Sequence, residues 1–257
     1  NIKLKNNKNT QSEIVTKFMN KILLPIIDEY EKYSYSSTYI EYTEIESVEN
    51  NTEKKYINLW KSPKQMPLKK INTIVGNTSK EIINDIKNFT LNYKSIYTKL
   101  NIKFKRGYLL YGPPGTGKTS IIQAIATITK KRIYKISFNE KNMGDNEYKT
   151  LLNDVSNSII VFDDINPDIL KENGKIIKRE ENGMIYTVTY NLLLDFLDGI
   201  SSNDNITIIT TNHYIDIGSA LLRAGRIDRK IKFDYATPYE IQEYFNLFYD
   251  RSIIYKK

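Results

Sequence analysis

From residue 108 onward, apolar residues fall into short runs that alternate with longer stretches of helical spacing. Residues 108–111, 132–138, 159–163, 206–211 and 230–233 are the runs; 118–130, 145–156 and 189–198 are the clearest helical stretches between them. Short apolar strands alternating with helices predict a parallel sheet covered on both sides. The pattern therefore predicts an α/β core of five parallel strands with helices on both faces. A helix leading into it opens at Thr78-Ser79-Lys80-Glu81, a capping-box spacing in which hydroxyl and carboxylate satisfy free amides, and runs to about residue 98. Residues 171–183 are polar and contain glycine, which predicts an exposed loop or hairpin.

The first sixty residues follow another pattern. Ile14, Val15, Phe18, Ile22 and Ile26 recur at helical spacing within 10–33, and two Tyr/Thr/Ile-rich stretches, 37–48 and 54–60, read as strands parted by Glu49-Asn50-Asn51-Thr52. Residues 1–60 are thus expected to form a small α+β region. Residues 61–76, with Pro63, Pro67 and Lys69-Lys70, are expected to be a linker, 77–236 the α/β core, and 237–257 the start of a further helical part.

The totals narrow the chemistry. Hydrophobic residues make up 40% of the 257, enough for a packed core. There is no cysteine and a single histidine, His213, which excludes disulfides, thiol nucleophiles and Cys/His zinc sites; a cysteine-free chain fits a reducing compartment. The net charge of +8 admits an anionic partner such as nucleic acid or a membrane surface. The lysines are dispersed among Asn, Ile and Tyr, however, a mixture that AT-rich coding produces whatever the function, so a basic patch is the less favoured reading. No apolar run reaches the roughly 18 residues of a membrane span. The chain opens at Asn1 without a methionine, leaving room for a preceding targeting or anchoring segment; location at an organelle membrane would depend on one.

Gly112-Pro113-Pro114-Gly115-Thr116-Gly117-Lys118-Thr119 fits G-x-x-x-x-G-K-[ST] in full, after a strand and at the opening of a helix. Its glycines let backbone N–H groups close around phosphates, and the helix N-terminus, with Ser120 in its first turn, adds a favourable dipole. In that motif Lys118 bridges the β- and γ-phosphates of ATP and the Thr119 hydroxyl ligates Mg²⁺. The apolar run 159–162 ends in Asp163-Asp164, delivering two carboxylates to the sheet edge where ligands of parallel sheets bind: Asp163 toward Mg²⁺ through water, Asp164 toward an attacking water. Asn212 follows the run 206–211 and is a candidate for touching both γ-phosphate and water. Arg223 and Arg226, three apart in Leu221-Leu222-Arg223-Ala224-Gly225-Arg226, either form solvated pairs or stabilise charge on a phosphate. Spacing alone does not choose between these.

Taken together, residues 71–250 resemble the AAA ATPases, and within them the BCS-type mitochondrial chaperones that translocate the Rieske iron–sulfur protein. The resemblance rests on Phe104-Lys105-Arg106-Gly107-Tyr108-Leu109-Leu110-Tyr111, Leu193-Leu194-Asp195-Phe196-Leu197-Asp198-Gly199 and Thr210-Thr211-Asn212-His213. It implies a P-loop ATPase fold, a hexameric or heptameric homo-oligomeric ring, a protein substrate, Asn212 as γ-phosphate sensor, and Arg223 and Arg226 reaching a neighbouring subunit's site. It also implies that 1–60 stand where the subgroup has its middle domain, and that a helical lid begins near Tyr239, short or cut. Departures are Gly218-Ser219 in place of Asp-Pro, Ala224 in place of proline, and Asn142-Met143-Gly144-Asp145 where threading motors carry an aromatic pore loop. Two alternatives remain beside this reading: a nucleic-acid-remodelling ATPase, and a nucleotide-bound scaffold that does not hydrolyse.

Overall fold

The computed structural model describes residues 39–50, 55–138, 140, 143–153, 155–166, 177–181, 184–198, 204–212 and 218–249. The helix expected over 10–33 and His213 lie outside the described residues. Eight strands join one sheet: β1 Tyr39–Asn50, β2 Lys55–Trp60, β3 Lys64–Pro67, β4 Arg106–Tyr111, β5 Ile133–Ile136, β6 Ile159–Phe162, β9 Ile206–Thr211 and β10 Arg229–Lys232. A separate hairpin, β7 Ile177–Glu181 with β8 Met184–Val188, occupies part of the stretch expected as a loop or hairpin. The helices are α1 Asn77–Asn88, α2 Lys94–Lys99, α3 Lys118–Thr129, α4 Asp145–Asn153, α5 Tyr190–Asp198 and α6 Pro238–Tyr249; a π-helical turn, Phe89–Tyr93, links α1 to α2.

The five strands expected from the sequence are contiguous in the order β10-β4-β9-β6-β5, and every neighbouring pair is parallel. The sheet is nevertheless larger than the five strands expected. β1 continues it in parallel at the β5 edge through the pairs Tyr42–Ile133, Thr43–Tyr134 and Glu44–Lys135. β2 and β3 add to β1 antiparallel. The physical reason is the unpaired edge of β5, whose backbone N–H and C=O groups need partners. The strands read from residues 37–60 fill that edge.

Alternation along each strand feeds two cores. Tyr108, Leu110, Ile159, Val161 and Ile208 pack on one face with Ile82, Ile83 and Ile86 of α1 and Ile121, Ala124 and Ile125 of α3. Leu109, Ile160, Phe162 and Ile209 face the other way, against Tyr148 and Leu152 of α4 and Leu192, Leu193 and Leu197 of α5. Each fully buried Ile or Leu contributes roughly 1.5–3 kcal/mol relative to exposure. A polar clamp fixes α1 on the sheet: Asp85 accepts bonds from Arg106 Nε (3.2 Å) and Nη2 (2.6 Å) and from the Tyr108 hydroxyl (2.6 Å). Burial and the Asp85 carboxylate together push the Tyr108 hydroxyl well above the usual tyrosine range.

The capping box expected at Thr78 is not formed. α1 starts at Asn77, with no side-chain cap from its own flanking residue, and the Asn77 N–H bonds the carboxylate of Glu240 on α6. The same Glu240 closes a capping box within α6: Oε2 accepts the Thr237 N–H (2.8 Å), and Thr237 Oγ1 accepts the Glu240 N–H (3.3 Å). The bond from the Thr237 N–H, the largest influence, joins those from the Thr237 hydroxyl and the Asn77 N–H in outweighing burial and holds the Glu240 pKa below the usual range. Lys80 Nζ adds a 2.5 Å bond from α1 to Glu243.

Candidate active site

β4 delivers the chain to the glycine-rich loop at its C-terminal end. There the Gly112 N–H donates to the Thr211 carbonyl on β9 (3.2 Å). A Cβ on Gly112 would stand 1.9 Å from the Phe233 carbonyl oxygen, and φ is +133°, so the position demands glycine twice over. Gly115 and Gly117 have φ of +77° and +102°, with nothing within 4 Å of where a Cβ would be. These glycines leave open space beside the backbone at the start of α3, where phosphate oxygens can approach the N–H groups.

Lys118, the first residue of α3, is buried. Its Nζ donates to the carbonyls of Gly112 (2.6 Å) and Pro113 (2.8 Å). Thr116 Oγ1 donates to the Pro113 carbonyl as well (2.8 Å). Pro114 and Thr119 are exposed; Pro113 and Ser120 are half-buried. Burial pushes the Lys118 pKa down, and the carboxylates of Asp164 and Asp163 pull against that shift. The two acids are therefore close enough to act electrostatically on the P-loop lysine.

β6 is buried along its whole length, so Asp163 is the first polar side chain the strand presents. Its Oδ1 accepts the Thr210 hydroxyl (2.7 Å) and its Oδ2 lies 2.9 Å from Lys135 Nζ. Burial alone would raise the Asp163 pKa, but the bonds from Lys135 and Thr210 outweigh it and hold the carboxyl below its usual range. The Asp164 N–H donates to the same Thr210 oxygen (2.8 Å), and Asp164 sits at φ +51°, a conformation few non-glycine residues adopt. Asn212 Nδ2 donates to Asp164 Oδ1 (2.7 Å). Because β9 lies between β4 and β6, Asp163, Asp164 and Asn212 come together beside the P-loop.

Thr210 was not singled out from the sequence, although it is the bridge between both acids. In the sequence Thr210 is one of three threonines in Ile206–Thr211, and only the fold sets it apart as the buried hydroxyl, 3% exposed, between the two acids. Lys135, the one charge within β5, was likewise passed over.

The arginines stand elsewhere. The Gly107 N–H donates to Asp228 Oδ2 (2.8 Å) and the Gly107 carbonyl accepts the Asp228 N–H (2.9 Å). The 223–228 turn is thereby fixed at the N-terminal end of β4, about 16 Å along the strand from Gly112 at ~3.3 Å per residue. Arg226 is held within its own chain. Its Nε and Nη2 form a bidentate pair with Asp198 (2.5 and 2.6 Å), and its Nη1 donates to the Ala220 carbonyl (2.7 Å). Lys105 Nζ closes the same end of α5 through the Leu197 carbonyl (2.5 Å). Arg223 is exposed.

A strand-borne P-loop with an acid pair and a polar residue on the two neighbouring strand tips defines a P-loop nucleotide-hydrolase domain. Residues 108–235 match the ATPase family associated with various cellular activities (AAA), and over that span the chain is an AAA ATPase domain. The probable mitochondrial chaperone bcs1 of Schizosaccharomyces pombe is 35% identical over 182 residues, covering 69% of this chain and 39% of that protein. The probable mitochondrial chaperone BCS1-A of Dictyostelium discoideum is 37% identical over 173 residues (66% and 41%). An AAA-ATPase of Arabidopsis thaliana is 36% identical over 162 residues (62% and 36%). The chain thus matches well under half the length of these relatives. Among the described residues no helix is long and apolar enough to cross a membrane.

Proposed function

We propose that this chain hydrolyses Mg²⁺·ATP within a homo-oligomeric ring, a hexamer or heptamer, whose subunits complete one another's sites and do mechanical work on a protein substrate. The observation that carries this reading is the placing of the arginine turn at the end of β4 remote from the P-loop. The separation argues against Arg223 reaching the phosphates of its own site and so supports its serving a phosphate held by another subunit.

The residues fit the groups the reading requires. The open cradle around Gly115 and Gly117 suits the phosphates, with Lys118 and the first turn of α3 supplying positive potential. Thr119 and Asp163 would hold Mg²⁺, which when bound neutralises charge on the β- and γ-phosphates. Among the described residues there is no cluster of three acidic or histidine ligands; a site of one hydroxyl, one carboxylate through water and substrate oxygens is the usual arrangement for this ion. Asp164 orients the attacking water, and Asn212 fixes the orientation of the Asp164 carboxylate. Arg226, paired with Asp198, braces the turn that carries Arg223. Catalysis is then positioning plus electrostatics, with no covalent intermediate. Met143 and Tyr148, the apolar residues of 139–148, are both buried and cannot serve as a pore paddle, which supports work on a folded protein over threading. The names of the chaperone relatives support a protein substrate.

The test is turnover per subunit against protein concentration with Mg²⁺ present; it should climb as subunits associate. Arg223→Ala should lose on the order of 10³-fold in turnover and keep its nucleotide affinity. Mixing Arg223→Ala with Lys118→Ala subunits should restore part of the activity, since some interfaces then hold both intact residues. No recovery in the mixture would refute shared sites.

A further inference from the structure

Asp163 has both carboxylate oxygens engaged: Oδ1 by Thr210, Oδ2 by Lys135. Lys135 is itself shared. In the sheet it stands directly opposite Glu44 on β1 and Val161 on β6, and Asp163 lies two residues beyond Val161, on the same face. Its Nζ is 2.9 Å from Asp163 Oδ2 and 3.9 Å from Glu44 Oε1. The Tyr42 hydroxyl, also on β1, donates to Glu44 Oε1. A single polar row therefore crosses four strands: Tyr42, Glu44, Lys135, Asp163, Thr210, Asp164, Asn212. One end is β1, the strand that links β5 to β2 and β3, and the other is the hydrolysis site.

We propose that Lys135 is a positioning residue that sets the Mg²⁺ affinity of the site through Asp163, and that Glu44 tunes it by sharing Lys135. The inference rests on the reading of Asp163 as the carboxylate facing Mg²⁺. An ammonium bonded to Asp163 Oδ2 competes for that oxygen with a metal-bound water, and its charge repels the arriving dication. Glu44 draws part of that charge away. The three side chains are matched in exposure, 34% for Lys135, 33% for Asp163 and 35% for Glu44, so water screens both contacts to a similar degree, and the shorter one to Asp163 is the stronger. Metal affinity of the site thereby becomes a property of β1, and displacement of β1 relative to β5 is transmitted to the active site without any change in the P-loop.

The experiment uses the full chain and a fluorescent non-hydrolysable ATP analogue. Its binding is titrated with Mg²⁺ at fixed nucleotide, and its affinity is measured separately in EDTA. Lys135→Met should lower the Mg²⁺ midpoint about three- to tenfold, a range set by screened pairing at the protein surface. Lys135→Arg should stay near the parent value. Glu44→Gln should raise the midpoint about two- to threefold, and affinity in EDTA should be the same in all four proteins. Unchanged midpoints, or shifts of the same sign in Lys135→Met and Glu44→Gln, overturn the inference. A drop in EDTA affinity on losing Lys135 also overturns it, because Lys135 would then contact the nucleotide. A parent protein whose binding ignores Mg²⁺ overturns the assignment of Asp163 itself, an outcome distinct from a Mg²⁺-dependent parent with unmoved variants.

Discussion

Replacing Thr210 with valine keeps the shape of a β-branched side chain and removes only the hydroxyl. That oxygen is buried, donates to Asp163 Oδ1 at 2.7 Å and accepts the Asp164 N–H at 2.8 Å. Losing a hydrogen bond to a charged carboxylate costs about 1.5–3 kcal/mol, and leaving a half-buried N–H without a partner adds about 1 kcal/mol or more. Thr210→Val should therefore destabilise the fold by roughly 3 kcal/mol, read as a fall in urea midpoint at constant m. The effect on turnover should be larger than stability alone explains. Asp164 is held at φ +51° by the Thr210 bond on one side and Asn212 on the other, and a nucleophile-orienting group displaced by about 1 Å costs on the order of 10²-fold in rate. Thr210→Ser, which keeps the oxygen, should recover most of both losses. Steady-state ATPase assays at saturating Mg²⁺·ATP, run beside nucleotide-binding assays, separate lost chemistry from lost binding. If Thr210→Val were as stable and as active as the parent, the hydroxyl would be incidental and the reasoning refuted.

Other perturbations follow from the same geometry. Gly107→Ala would place a Cβ 1.7 Å from the Arg226 carbonyl oxygen, a backbone collision; stability should fall by more than about 3 kcal/mol in chemical denaturation. Asp198→Asn removes the charged partner of Arg226; the pair is half in water on the Asp198 side, so stability should drop by about 1 kcal/mol or less. Turnover should fall further while nucleotide affinity holds, because the turn bearing Arg223 loosens. Lys131, which donates to the Asp204 carbonyl (2.6 Å), has its pKa lowered by burial from 10.5 to about 8. Below pH 8 both folded and unfolded chains carry the proton and the folded state bears the full cost. Between pH 8 and 10.5 the unfolded chain binds more protons, so this residue adds stability as pH rises. Lys131→Met should remove that part of the slope in melting temperature against pH, and an unaltered slope would contradict the assignment.

What could be read from the chain in advance follows the range of the interactions involved. The P-loop is local: its glycines, Lys118 and Thr119 lie within eight residues, and their backbone demands are written into the residue types. The parallel strands are legible for a similar reason, since burial on both faces leaves an unbroken apolar run such as 159–162. Strand order and edge partners are not local. That β1 would complete the β5 edge depends on pairing Tyr42 with Ile133, and nothing in either stretch names the other. Thr210 and Asp164 are 46 positions apart, and Lys80 and Glu243 are 163 apart. The capping pattern at Thr78 was a genuine local signal overridden by a carboxylate from α6. Arg226 was legible as an arginine of the right spacing, but its bond to Asp198 was not, because the end of α5 is brought there by the sheet.

Glu240 has a mechanical consequence. Its carboxylate is the N-terminal stop of two helices at once, α6 to which it belongs and α1 which begins the core. The piece of chain entering the sheet and the piece leaving it are thus fastened by one two-oxygen rivet, against a Gly76 whose missing side chain leaves room for it; a Cβ there would stand 2.8 Å from Glu240 Oε1. α6 cannot swing about Thr237 without stripping the cap from α1. Losing one such cap costs roughly 1 kcal/mol, a penalty thermal motion overcomes in a sizeable minority of molecules at any instant. The fastening is strong enough to give α6 a resting position and weak enough to let it leave.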